Sequence, residues 1–285
     1  GAIALPAAPA HAADPITAND QTFYAYYKLD QARAKGYTGK GITIALIDGE
    51  VDTNAPELAG ASIIDKSPCT VISGTFTKSH STSMASLLVS KTYGVAPDAT
   101  LLSYRTTFVS QDDRAGNDCT SHNGTAAEDP ASLINRAISD GAQIISIPSS
   151  DEGTDEATKW AIARANAQGI IIVSPMGNDA KDETLDTYSK WSGVVGVSAI
   201  DTTGKVASYS SWGQGTTVAA VGGPVVLHNY ESGNKGFTDG TSNSVPLVAG
   251  FLTLAKQKWP DATSNQLLQL LIKTARTDQG GWNTY

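Results

Sequence analysis

The stretch GKGITIALIDGEVD, residues 39–52, holds an apolar run from Ile42 to Ile47, interrupted only by Thr43 and closed by Asp48. A run that does not alternate apolar with polar suits a strand covered on both faces, as in a parallel sheet beneath helices. Five further runs of this kind follow, at 100–105 (TLLSYR), 143–148 (QIISIP), 170–175 (IIIVSP), 194–199 (VVGVSA) and 216–221 (TTVAAV). Helical patterns separate them. Residues 131–141 place Leu133, Ile134, Ala137 and Ile138 on one face and end at Gly141, and residues 155–169 carry Trp160, Ala161 and Ala165 and end at Gly169. Both lengths suit right-handed crossovers between parallel strands. Toward the C-terminus, 244–259 and 264–275 are expected to be helices parted by Pro260, the second capped by Ser264. The expected fold class is α/β, a single doubly wound domain with a mostly parallel sheet and helices on both faces.

A chain of 285 residues can bury a large core in one such domain. Its 40% hydrophobic and 17% charged residues describe a globular protein. A net charge of −8 argues against nucleic acid as a partner, because phosphate binding needs a surplus of Lys and Arg. Residues 1–12 are small and apolar and close on Ala10-His11-Ala12, which suits the remnant of an export signal or a flexible segment. The expected location is therefore secreted or cell-envelope. Residues 13–37 form an N-terminal extension in which 23–36 (FYAYYKLDQARAKG) is expected to pack as a helix on the domain, which spans 38–285. No run reaches the ~18 apolar residues of a membrane span, so a membrane anchor is expected only if a further C-terminal segment follows. A monomer is expected. Cys69 and Cys119 are expected to form a disulfide if the protein is exported, the alternative being two unpaired thiols. Their spacing matches no zinc motif, so no Cys-based metal site is expected; no other metal and no cofactor are expected either.

In an open parallel sheet, function gathers at the carboxyl ends of the strands. Asp48 ends the first run. Asn178 follows the run at 170–175, within SPMGND (174–179). His80 stands in SHSTSMASLLVS (79–90), ahead of a small-residue run that can start a helix. Ser242 stands in DGTSNSVPLVAG (239–250), where a loop tips into an apolar helix. Singly, each is better read as a turn, surface or capping residue. Together, and in this order, they resemble the motifs of the subtilisin-like serine peptidases, the subtilase family. The resemblance runs over roughly residues 38–276 and includes GVAPDATLLSYR (94–105). Some features, namely the signal-like N-terminus, the cysteine ahead of His80 and the small size, are similar to the mycosin-type cell-envelope members.

What the resemblance implies is a secreted serine endopeptidase acting on peptide or protein. Asp48, His80 and Ser242 would be its triad, in the chain order of that family. Asn178 and the Ser242 N–H would form the oxyanion hole, and Pro148, Ser149, Ser150, Met176 and Gly177 would line the substrate cleft. The chemistry fits the residue types. A serine hydroxyl needs a base to become a nucleophile, and a helix N-terminus favours negative charge developing beside it. Gly240 is expected to supply a sharp turn, and Pro246 to sit in the first helical turn. Two other readings stay open: a latent relative that only binds, or an acyl-enzyme passed to an amine in peptide ligation or cyclisation.

Four places depart from the family pattern. The motif Asp-Thr/Ser-Gly is here Asp48-Gly49-Glu50, with Gly49 expected to absorb the turn and Glu50 to face solvent. Ser81 and Ser83 replace the Gly and second His of the histidine motif. Pro148-Ser149-Ser150 stands where Ser-Leu-Gly pairs with substrate, and proline has no N–H to give. Asn243-Ser244 replaces Met-Ala after the nucleophile. Of the other histidines, His122 is expected on a loop surface and His228 in a loop or at a strand edge. The acidic stretch 110–130, with Asp112, Asp113, Asp118, Glu128 and Asp129, is expected to be a solvated loop overhanging the cleft.

Overall fold

Ile44, Ala45, Leu46 and Ile47 have no exposed surface, because their strand, β1 (Thr43–Asp48), lies inside a sheet covered on both sides. The structure, a computed structural model, describes residues 14–107, 118–122, 125–149, 153–183 and 187–276. Among these, seven parallel strands form one sheet in the order β2 (Ser62–Asp65), β3 (Thr100–Arg105), β1, β6 (Ile144–Ser146), β7 (Ile171–Pro175), β8 (Val194–Ile200) and β9 (Thr216–Val221). Between β3 and β6 the chain forms a small pair, β4 (Ser121–His122) with β5 (Thr125–Ala126). After β9 comes an antiparallel hairpin, β10 (Val225–Asn229) with β11 (Asn234–Thr238).

Alternation along β1 sorts the core into two layers. Ile44 and Leu46 pack in the layer that contains α3 (Thr75–Val89) and α6 (Thr241–Lys258). Ala45 and Ile47 pack in the layer that contains α4 (Pro130–Ser139) and α5 (Glu156–Ala167). The chain builds β2 and β3 on one side of β1 and then β6 to β9 on the other. The topological switch thus falls between β1 and β6, the place where sheets of this kind bind ligands beyond the strands' carboxyl ends.

Residues 14–37 are part of this body. They carry two short helices, α1 (Thr22–Tyr26) and α2 (Leu29–Ala34), whose Phe23 and Leu29 are buried in the α3/α6 layer. The Gln21 side chain mimics a strand partner: its amide nitrogen Nε2 donates to the Val226 carbonyl at 2.9 Å, and its Oε1 accepts the Val226 N–H at 3.0 Å. Residues 1–12 lie outside the described residues. Cys69 and Cys119 are joined by a disulfide with Cα atoms 5.0 Å apart, which ties the segment before α3 to the one before β4. No helix among the described residues is long and apolar enough to cross a membrane.

Several boundaries differ from the sequence reading. The helix expected after His80 begins at Thr75, so His80 lies in its second turn. The first turn leaves Phe76 exposed and carries no buried apolar stripe, and from Ser79 on the helix is buried nearly all round, with the small residues Ser79, Ser81, Ser83 and Ser86 among the buried ones. Two of these hydroxyls bond back to the helix, Ser81 Oγ to the Thr77 carbonyl and Ser86 Oγ to the Ser83 carbonyl. Helix α6 starts at Thr241 rather than at 244, which moves Pro246 into the second turn. There its missing N–H leaves the Ser242 carbonyl without the usual i+4 donor. The last helix, α7 (Ser264–Thr274), is capped by Thr263, not Ser264. Thr263 accepts the Gln266 N–H at 3.2 Å, and the Gln266 side chain accepts the Thr263 N–H in return.

Candidate active site

Asp48 closes β1 and is fully buried. Its Oδ1 accepts the Gly49 N–H at 2.9 Å, and its Oδ2 accepts Nδ1–H of His80 at 2.9 Å. With both carboxylate oxygens engaged, the His80 tautomer is set, and Nε2 is left as the basic nitrogen. Burial is the largest influence on His80 and disfavours its charged form. The charge of Asp48 and the hydrogen bond from it outweigh that, so His80 titrates above its ordinary value of 6.5.

Gly49 allows α3 to approach this closely. A β-carbon on it would lie 2.2 Å from Thr77 Cγ2 and 2.7 Å from Ser81 Oγ. The residue is there for room, not for a turn, since its φ is not positive. Glu50, expected to face solvent, instead bridges Lys78 at 3.4 Å and Arg105 at 3.5 Å. Its carboxylate is therefore matched by two cations, and its φ needs no glycine.

The second half of the site forms where α6 meets the loop after β7. Helix first-turn N–H groups have no partner within the helix. Thr241 N–H is taken by Asn178 Oδ1 at 2.8 Å, and Asn243 N–H by the Gly240 carbonyl at 3.1 Å. Among the described residues this leaves the N–H of Ser242. Thr241 Oγ1 also donates to Asn178 Oδ1, at 2.9 Å, and accepts the Gly177 N–H at 3.2 Å. Because Oδ1 of Asn178 accepts twice, the amide's orientation is determined, and its Nδ2 donors face away from Thr241.

Gly240 shows where they face. Its φ of 168° is ordinary extended backbone, so it supplies no special turn. What it supplies is space. A β-carbon there would stand 3.1 Å from Ser242 Oγ and 3.4 Å from Asn178 Nδ2. Nucleophile-type oxygen and amide donor thus border one small volume, kept open by the absence of a side chain. Sequence reasoning missed Thr241, although the threonine directly before Ser242 was the available signal.

The expected cleft residues are placed less uniformly. Pro148 is buried just beyond β6, and Ser149 is half-buried after it. Ser150 lies outside the described residues. Gly177 adopts a φ of 105° and anchors the Asn178 loop by accepting the Ser211 N–H at 2.9 Å. Met176 has no exposed surface. It packs beneath Gly196, and its sulfur accepts from Ser189 Oγ, so it backs the wall rather than touching a substrate. His228, expected in a loop or at a strand edge, lies in β10 of the two-stranded hairpin, nearly buried, with Nδ1 2.7 Å from Glu57 Oε2.

A buried carboxylate–imidazole pair at the carboxyl end of β1, a serine at the N-terminus of α6 and an amide fixed after β7 have the layout of an α/β serine hydrolase. Within that class the chain belongs to the Subtilase family, which residues 39–285 match. It is 29% identical over 259 residues to a thermostable alkaline protease of Halalkalibacterium halodurans, covering 88% of this chain and 66% of that protein. It is 27% identical over 259 residues to subtilisin E of Bacillus subtilis, covering 87% and 64%. The chain thus spans a little under two thirds of the length of these relatives. In structure it is similar to the patellamide maturation protease PatG, with a TM-score of 0.73 at 19% identity over 88% of this chain and 87% of that one, a likeness of fold.

Proposed function

We propose that the chain is a secreted serine endopeptidase in which Ser242 attacks the scissile carbonyl. As the Ser242 O–C bond forms, His80 Nε2 takes the hydroxyl proton and then gives it to the departing amine, leaving an acyl-enzyme. Water, deprotonated by the same nitrogen, releases the acid. Asp48 holds the tautomer and stabilises the imidazolium. The Ser242 N–H and Asn178 Nδ2 bind the oxyanion. The observation that carries this reading is the volume beside Gly240, bordered at 3.1 Å by Ser242 Oγ and at 3.4 Å by Asn178 Nδ2. Export is supported by the disulfide, and closer kinship with the mycosin-type members by Cys69 ahead of His80. Pro148, Ser149 and Gly177 would line the substrate cleft.

A fluorophosphonate probe tests it. Wild-type protein is expected to be labelled at Ser242, located by peptide mapping, and to cut an internally quenched peptide library. A folded protein that takes no label and cuts nothing leaves only the binding reading. Products carrying an added amine nucleophile would instead move the reading to acyl transfer.

Thr241 supplies a finer expectation. Thr241→Val keeps the N–H bond to Asn178 but removes the hydroxyl that both fixes the amide and receives the Gly177 N–H. One such bond is worth about 1–1.5 kcal/mol, so kcat should fall about tenfold. Steady-state rates on a chromogenic peptide anilide should show KM nearly unchanged.

A further inference from the structure

We propose that Asn243 is a positioning residue that sets the first turn of α6, and with it Ser242, against the ends of β9 and β11. The inference rests on the serine-peptidase reading above. Asn243 is 1% exposed. Its Nδ2 donates to the Gly222 carbonyl at 2.9 Å and to the Thr238 carbonyl at 3.4 Å. Gly222 follows β9 directly, and Thr238 is the last residue of β11. The same Gly222 carbonyl accepts the Gly240 N–H at 2.9 Å, so one oxygen holds both the residue before the Thr-Ser pair and the residue after it. The next side chain repeats the device: Ser244 Oγ donates to the Ala220 carbonyl at 2.9 Å, inside β9. Ser242 is therefore flanked by side-chain and main-chain bonds to the end of β9 and, through Asn243, to the end of β11.

These are the positions where the family motif has Met-Ala, whose side chains donate no hydrogen bond. The anchoring is therefore a property of this chain. It also has a cost. Asn243 Oδ1 is buried without a hydrogen-bond partner, a penalty an apolar side chain would avoid. The donor end must more than offset it. Pro246 gives a reason: it removes the i+4 donor to the Ser242 carbonyl, so the turn carrying Ser242 lacks one helical restraint and gains side-chain restraints in its place.

The test compares wild type, Asn243→Met and Asn243→Asp by fluorophosphonate labelling rate and by kcat and KM on a chromogenic peptide anilide. A positioning role predicts that Asn243→Met loses about tenfold in kcat and labelling rate with KM within about twofold. Asn243→Asp has no donor while ionised and regains one when protonated. Its rate relative to wild type should therefore rise as pH is lowered, a response that mere packing would not give. Asn243→Met at the wild-type rate, a change confined to KM, or an Asp-variant ratio flat with pH would each overturn the inference while the peptidase reading stands. A folded wild type that takes no label overturns that reading, and the inference with it.

Discussion

Ser242→Ala is expected to be folded as wild type and to lose about 10⁶-fold in kcat, the size found for loss of the nucleophile in subtilisin, a member of the same family. Folding should be unaffected because Ser242 is only half-buried and, among the described residues, makes no side-chain bond that holds α6 in place. That work falls to Thr241, Asn243 and Ser244. The amide of Asn178 and the N–H of residue 242 remain, so a residual rate of about 10³–10⁴ over water should survive from oxyanion binding alone. Fluorophosphonate labelling should vanish completely, since Thr241 Oγ1, the other hydroxyl beside the Asn178 amide among the described residues, donates to Asn178 Oδ1. Retained turnover in a preparation free of contaminating protease would remove Ser242 from the mechanism. Retained peptide binding with no turnover is the expected state of the variant, which makes it the reagent for trapping substrates.

How much of this was legible in the chain depended on what each residue is buried against. The run Ile44–Ile47 announced a central parallel strand because burial on both faces demands continuous apolar side chains. Strand β2 escaped notice because it is a sheet edge with Ser62, Ile64 and Asp65 exposed, so its sequence is not forced to be apolar. The start of α3 escaped because Thr75 and Phe76 are exposed and the buried residues after them, Thr77, Ser79, Ser81, Thr82 and Ser83, are small and polar, so no hydrophobic period forms. Asp48, His80, Asn178 and Ser242 were singled out because the stretches around them resemble family motifs. The devices that fix them were not, because they join residues far apart in sequence: Thr241 to Asn178, Glu50 to Lys78 and Arg105, Asn243 to Gly222. Gly240 shows the limit in another way. A glycine before a nucleophile suggests backbone freedom, yet its φ is ordinary and its service is an empty volume.

Asp48→Asn should cost about 10⁴-fold in kcat, the magnitude seen for the same change in serine peptidases of other folds, and the hydrogen bonds explain why. One oxygen of residue 48 must keep accepting the Gly49 N–H. The asparagine would satisfy that with Oδ1 and turn its NH₂ toward His80. Nδ1 would then have to accept, which drives the ring proton onto Nε2, the nitrogen that must be bare to take the Ser242 proton. The pH dependence follows with its sign. In wild type, the charge and hydrogen bond of Asp48 outweigh burial and raise His80 above 6.5, so kcat/KM should rise with pH along an acidic limb centred above 6.5. In Asp48→Asn only burial remains, which disfavours the imidazolium, so the limb should move below that value. Stability carries the same signature. A histidine raised on folding stabilises the native state fully below its unfolded value and stops contributing as pH rises through the folded one. The variant should therefore show its largest fall in melting temperature on the acid side of 6.5 and a smaller one at alkaline pH. An acidic limb that stays in place while kcat collapses would mean that His80 is not the titrating base.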